Sequence, residues 1–239
     1  MIKKVIVDSK GNVQYWSSGD VHTLFGKILE ADVVKGGVVK SHLNKEFVVF
    51  DASFADRVEK ISRGPAVISK KDVGNILVTT GINKDSRVVD VGTGSGMLAL
   101  HLAHISSLVT SYEKSKEFYD IAMKNAEKLG VKVVVKNKDV FGGIEERDVD
   151  VVTVDLKEPW LLLAQVASVL RSGGFCVAYL PHVHQVQQLC GEAEKQGFLV
   201  QKVSEMIERD WVIDGLRSRP ESTGILHTGF LVFLRKVGG

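Results

Sequence analysis

The sequence predicts an α/β fold: a Rossmann-like open sheet with helices on both faces, preceded by a small β domain. Three observations carry this expectation. An apolar strand, a glycine turn and a helix-compatible run follow one another in Val88–Leu102, VVDVGTGSGMLALHL. From Arg63 onward β-type and α-type patterns alternate, which is the pattern of a parallel sheet covered by helices. Residues 1–60 carry only short apolar runs with no sustained helical period.

The elements follow in order. Lys3–Val7 and Val13–Trp16 flank Asp8-Ser9-Lys10-Gly11-Asn12, a hairpin pattern. Further β-type runs are Leu24–Leu29, Val33–Val34, Val38–Val39 and Phe47–Phe50, and together they suggest a compact, barrel-like sheet. Asp56–Ser62 reads as a short helical connector. Lys71–Thr80 is amphipathic and stops near Gly81. Arg87–Val91 is the first strand of the second domain and Gly96–Ile105 its first crossover helix. Leu108–Glu113 is the next strand, and Lys116–Leu129 the next helix, with Gly130 as its stop. Strands at Val131–Lys136, Val149–Asp155 and Phe175–Leu180 come after, with helices at Leu161–Leu170 and His184–Gln196. Leu199–Ile207 and His227–Arg235 read as two last strands. The expected division is 1–60 and 61–239.

Composition is that of a globular protein of 239 residues, 44% hydrophobic and 25% charged. No apolar run approaches the roughly 20 residues of a membrane span, and the N-terminus MIKKVIVDSKGN shows no signal-peptide core. Both features lead us to expect a cytoplasmic protein. Cys176 and Cys190 stand in no metal-ligand spacing and read as reduced thiols. A net charge of +2 permits a nucleic-acid partner without demanding one. Arg209, Arg217 and Arg219 near Trp211, and Lys3, Lys4, Lys35, Lys40 and Lys45, are candidate phosphate contacts; a solvated or subunit-contact role is the alternative. His182 and His184 are not expected to bind a metal.

In an open parallel sheet, ligands bind beyond the carboxyl ends of the strands. Those ends carry Gly92–Gly96, then Glu113, then Asp139, then Asp155. Glu113 lies about 20 residues past the turn, where an acid holds a ribose diol. Asp139 stands where an adenine amino group needs an acceptor. The turn is G-x-G-x-G after Asp90, and no basic residue is placed to meet a pyrophosphate. The pattern outlines a pocket for S-adenosylmethionine, because acids suit a cationic sulfonium better than lysines do. A dinucleotide enzyme and a non-catalytic relic remain the alternatives at this point.

A larger set of motifs stands around these acids: Arg63-Gly64-Pro65-Ala66-Val67-Ile68 with Lys71-Asp72, DVGTGSGMLALHLA, SYE at Ser111–Glu113, DLKEPW at Asp155–Trp160, GGFCVAYLP with Gln185-Val186, and RPESTGILHTGFLVFLRK at Arg219–Lys236. In this order they resemble the TrmI family of tRNA (adenine-N(1))-methyltransferases, from about residue 60 to the C-terminus. The resemblance implies a class I methyltransferase sheet, S-adenosylmethionine without a metal, tRNA as partner and a homotetramer. It implies a donor site at Asp90, Gly92, Thr93, Gly94, Ser95, Gly96 and Met97, with Glu113, Phe118, Asp139, Val140 and Asp155. Asp155 matches the catalytic aspartate and Tyr179 a pocket tyrosine. The target is then N(1) of a T-loop adenosine, position 58 and also 57 in some members. The alternatives are a methyltransferase of precorrin or isoaspartyl type, and a non-catalytic tRNA-binding subunit. This chain departs from the family at Ala66, where Gln is frequent, at Ser69-Lys70, and at Lys157, where the family usually has Pro. The departures bear on how the target base is held.

Overall fold

The computed structural model describes residues 1–62, 64, 68–222, 224 and 227–238. Arg63, Pro65, Ala66 and Val67, part of the first motif of the resemblance, lie outside the described residues, as do Thr223, Ile225, Leu226 and the Arg217 side chain. Contacts divide the chain into two units, Met1–Ser62 with Lys124–Gly130, and Arg63–Met123 with Val131–Gly239.

The first unit holds β1 (Lys4–Asp8), β2 (Val13–Trp16), β3 (Val21–Thr23), β4 (Gly26–Ile28), α1 (Glu30–Lys35), β5 (Gly37–Lys40), β6 (Glu46–Asp51) and α2 (Phe54–Val58). Four strands pair antiparallel in the order β2-β1-β6-β5, and β3 pairs with β4 as a separate ribbon. The four-stranded sheet is therefore open rather than closed as a barrel. Asp8 fixes the first turn by accepting from the Lys10 and Asn12 amides at 2.8 and 2.9 Å. Alternation sends Ile6, Trp16, Phe47 and Val49 to one face, where Val21, Ile28 and Val33 complete a core.

Three expectations here are corrected. Val33–Val34 is helical, not a strand: two adjacent valines carry no period, while Glu30 and Asp32 in the first turn and Lys35 in the last suit a helix dipole. The run Leu24–Leu29 is broken, because Leu24 and Phe25 form the turn between β3 and β4 and Gly26 takes φ 106°. The expected connector begins earlier, since Ser53 and Asp56 form a reciprocal cap that starts α2.

The second unit carries α3 (Lys70–Thr80), β7 (Arg87–Val91), α4 (Met97–Ile105), β8 (Leu108–Tyr112), the start of α5 (Lys116–Leu129), β9 (Val134–Lys136), β10 (Val149–Val154), α6 (Leu163–Val169), β11 (Leu170–Leu180), α7 (Val183–Ala193), β12 (Phe198–Glu205), β13 (Trp211–Asp214), β14 (Arg217–Pro220) and β15 (Phe230–Lys236). Seven strands form one sheet in the order β12-β15-β11-β10-β7-β8-β9. The five from β11 to β9 are parallel; β15 runs antiparallel between β11 and β12. Strand order reverses between β7 and β10. Right-handed crossovers from β7 toward β9 and from β10 toward β11 then put their connections on opposite faces. The central strands are apolar on both faces, as in VDVVTV of β10, and Val89, Val152, Val154, Ala178 and Val232 lie in one core.

The starts of three strands differ most from the sequence reading. β9 is shorter, beginning at Val134 rather than Val131. β11 begins at Leu170, because three extra residues bulge between the pairs Val149–Leu170 and Val151–Phe175, with Gly173 at φ 72°. His227–Gly229 precede β15, and β13 and β14 form a hairpin of their own. No helix among the described residues is long and apolar enough to cross a membrane.

Candidate active site

The reversal of strand order marks the ligand crevice of an open α/β sheet. The register pairs Val91, Val154 and Ala178 across β7, β10 and β11. The next row, at the carboxyl edge, is therefore Gly92, Asp155 and Tyr179. Gly92 has φ 88°, and a Cβ there would collide with the Asp155 carbonyl oxygen. The glycine is required by this close approach of the two strand ends. At Gly94, φ 54°, no atom of the described residues beyond its chain neighbours lies within 4 Å of where a Cβ would sit. That space belongs to a cavity of ≈ 290 Å³, bordered by Gly92, Gly94, Ser95, Glu113, Phe118, Asp139, Val140 and Asp155.

These are eight of the thirteen residues proposed from the sequence, and five do not border the cavity. Asp90 is 1% exposed, and both of its oxygens are taken: Ser111 donates to Oδ2 at 2.6 Å and Thr153 to Oδ1 at 2.7 Å. Since the Ser111 proton goes to Asp90, Thr93 donates to Ser111 across their 2.5 Å contact. The chain Thr93–Ser111–Asp90–Thr153 staples β7 to β8 and β10 beneath the turn. Burial raises the Asp90 carboxyl above its ordinary range, against the pull of the two hydroxyls. Gly96 and Met97 begin α4; a Cβ at Gly96 would crowd Leu100 and Ala122 at 3.1 and 3.3 Å. The fifth, Tyr179, is committed elsewhere: its hydroxyl donates to the Thr228 carbonyl at 2.5 Å.

Two of the three acids that reach the cavity are held by backbone donors. Glu113 accepts from the Gly94 amide at 2.9 Å and from the Ser115 amide at 2.8 Å, one on each oxygen. Asp139 caps the short turn Val140–Gly142 by accepting from the Phe141 amide at 3.0 Å. The loop that carries Asp139 is anchored by Tyr112, whose hydroxyl donates to Glu146 at 2.6 Å and accepts from the Glu145 amide at 3.0 Å. Lys136 bridges Glu145 and Glu146 at 2.8 and 2.6 Å.

Asp155 differs from all of these. Its carboxylate has no hydrogen-bond partner among the described residues, so it does not cap the segment that follows. Its surface opens to the cavity, yet protein surrounds it on the other sides. That burial pushes the carboxyl up to about 6, with the nearby Asp90 carboxylate a smaller cause. Gln185 of α7 fixes the loop after Asp155, donating to the Lys157 carbonyl at 2.9 Å and accepting from the His182 amide at 3.2 Å. The sequence reading gave no role to Gln185, to Tyr112 or to Leu156, which borders the cavity, although each lies in a motif it quoted.

Among the other candidates, Lys4 and Lys40 are in ion pairs with Asp51 and Glu46. His182 and His184 stack on each other, with ring centroids 5.5 Å apart. No group of three metal-ligating side chains occurs among the described residues.

Comparison with known proteins decides the family. The sequence profile described as "tRNA methyltransferase complex GCD14 subunit" matches residues 61–219, more than half of the chain. The chain belongs to this family. A relative from Thermus thermophilus, tRNA (adenine(58)-N(1))-methyltransferase TrmI, is 32% identical over 84% of this chain and 81% of its own length. The TrmI of Methanocaldococcus jannaschii, named for adenines 57 and 58, is 28% identical over 97% of this chain and 94% of its own. Two solved structures share the whole fold. The tRNA (m1A58) methyltransferase TrmI of Aquifex aeolicus has a TM-score of 0.83 at 27% identity, covering 99% of this chain and 97% of its own. A SAM-dependent O-methyltransferase of Thermotoga maritima has 0.87 at 25%, covering 100% and 94%. The family match and these likenesses agree with the class I methyltransferase sheet and with S-adenosylmethionine as methyl donor in this family.

Proposed function

We propose that this chain transfers a methyl group from S-adenosylmethionine to N(1) of the T-loop adenosine at tRNA position 58, as the names of its family relatives indicate. The observation that carries the acceptor side is the open Asp155 carboxylate at the sheet edge, next to Gly92. The cavity fits the donor: it offers open space over Gly94, the carboxylates of Glu113, Asp139 and Asp155, and apolar walls from Phe118 and Val140. When bound, S-adenosylmethionine supplies an electrophilic methyl on a positively charged sulfur.

Glu113 would accept from the ribose hydroxyls, and Asp139 from the adenine amino group. Each has lone pairs left after its backbone bonds. Gly92, Gly94 and Ser95 would border the methionine part. Asp155 would accept from the exocyclic amino group of the target adenine. That bond directs the in-plane lone pair of N(1) toward the methyl and stabilises the positive charge that develops on the base. No proton need leave for the transfer, so Asp155 acts as an ionised acceptor rather than as a general base. Tyr179, in the same row, would bound the acceptor side with its ring, because its hydroxyl proton is already engaged.

The test separates donor from acceptor. Asp155→Ala should abolish methylation of a T-loop transcript while calorimetric donor binding persists; Glu113→Ala should weaken donor binding. Mass spectrometry of digested tRNA identifies the methylated position, and wild-type turnover in Asp155→Ala would overturn the acceptor role. We extend the reading to a homotetramer in the cytoplasm, with residues 1–60 as a small β domain and 61–239 as the catalytic domain. The two free thiols suit a reducing compartment, and light scattering tests the assembly.

A further inference from the structure

A buried polar cluster lies in the second unit, and the reaction outlined above does not use it. Asp72, in the first turn of α3, is 0% exposed. It accepts from the Ser69 hydroxyl at 2.7 Å, from the Lys71 ammonium at 3.0 Å and from the Thr228 hydroxyl at 2.9 Å. Lys71 also donates to Thr228 Oγ1 at 2.7 Å. The single hydroxyl proton of Thr228 therefore goes to Asp72, and its oxygen receives Lys71. A carboxylate so far from water persists only because each of these donors is in place.

Thr228 is the middle residue of a strap of three, and each of the three fixes something at the carboxyl edge. The Thr228 carbonyl receives the Tyr179 hydroxyl. Gly229 lies against the Tyr179 ring: a Cβ there would come within 2.6 Å of Cζ and 2.8 Å of the hydroxyl oxygen. His227 reaches Glu205 through Nδ1 at 2.5 Å and the Pro181 carbonyl through Nε2 at 3.0 Å. Both of its partners are acceptors, so the two bonds stand together only when both ring nitrogens carry protons. The strap thus ties the ends of β11 and β12 to α3.

We propose that His227-Thr228-Gly229, anchored through Thr228 to the buried Asp72–Lys71 pair, positions the Tyr179 ring beside Asp155 to receive the acceptor base. This rests on the acceptor-side reading of Tyr179 given above. Thr228, Gly229 and Asp72 are positioning residues. They act through Tyr179 and touch no reacting atom.

The experiment is a set of coupled variants of the full chain, assayed for kcat and KM with a T-loop tRNA transcript, for donor Kd by calorimetry and for Tm. Thr228→Val removes the hydroxyl at constant volume and is expected to lower kcat/KM for tRNA about tenfold with donor Kd unchanged. Thr228→Ser should restore it. Gly229→Ala should slow methylation when Tyr179 is present and have no further effect in a Tyr179→Ala background, where the ring it displaces is gone. If Thr228→Val does not fold, the Gly229 cycle alone decides. Equal effects of Gly229→Ala in both backgrounds would overturn the proposal, as would donor affinity falling in step with kcat/KM. Wild-type turnover in Tyr179→Ala would remove the acceptor reading of Tyr179. Slow Tyr179→Ala with wild-type rates in Thr228→Val and Gly229→Ala would remove the strap alone.

Discussion

Lowering the pH from 7 to 5 should reduce kcat/KM for tRNA about tenfold through one group. In the role proposed for it, Asp155 must be ionised to accept from the base, and burial holds its carboxyl at about 6 in the free protein. One unit above that value roughly nine tenths of the chains carry the carboxylate; one unit below, roughly one tenth do. A bound cationic donor favours the ionised form, so the tenfold fall applies at low donor concentration and the acid limb should move to lower pH as the donor saturates. The assay is initial-rate methylation of a T-loop transcript from pH 5 to 8 at constant ionic strength. Asp155→Asn serves as control, expected to lose about 10²–10³ in rate, as when one transition-state partner is removed, and to show no limb. The stability sign is opposite. The folded form takes up a proton at a pH where the unfolded chain, with its ordinary value of 3.8, does not. Stability contributed by the protonated acid is therefore lost as pH rises through 3.8 to about 6. Asp155→Asn should raise Tm at pH 7; the open cavity screens the charge, so the gain is about 1 kcal/mol. A flat kcat/KM between pH 7 and 5, or a limb that persists in Asp155→Asn, would refute this reasoning.

Three further outcomes follow from the same geometry. Gly92→Ala forces a Cβ toward the Asp155 carbonyl at a φ of 88°, and should cost about 2–4 kcal/mol in denaturant unfolding. Asp72→Ala leaves the Lys71 ammonium buried without its counter-charge and should cost about 3–5 kcal/mol, read the same way. Tyr112→Phe removes the hydroxyl that anchors Glu145 and Glu146. Calorimetry should show weaker donor binding, since the loop with Asp139 is released, while kcat at saturating donor stays near wild type.

What the sequence made legible was local. Strand, glycine turn and helix at Val88–Leu102 are set by neighbours along the chain, and the acids Glu113, Asp139 and Asp155 follow from the rule that strand ends carry the ligand. Where the reading failed, the deciding contact was remote or the signal too short. Val33–Val34 looked extended because two valines carry no period. Thr228 and Asp72, 156 positions apart, meet only when α3 and the approach to β15 come together. Tyr179 was assigned from its motif, which says nothing of where its hydroxyl points; that depends on the same remote strap.

Residue type alone does not separate the acids that border the cavity from Asp90 and Asp72, but the kind of donor does. Asp72, Asp90, Glu113 and Asp155 all appear in the motifs that carry the resemblance, and Asp139 was read from its place after the third strand. Asp90 has a hydroxyl on each oxygen, and Asp72 holds three side-chain donors. Neither has room for a ligand, and each joins elements that would otherwise separate. Glu113 has one backbone donor per oxygen, Asp139 has one in all, and Asp155 has none among the described residues. An ionised carboxylate offers about four acceptor sites; Glu113 has used two, Asp139 one, and Asp155 none among the described residues. A group that must gain a hydrogen bond only as charge develops on its partner has to wait without one. In the reaction proposed above, Asp155 meets that requirement: burial raises its pKa, and it has no hydrogen-bond partner among the described residues.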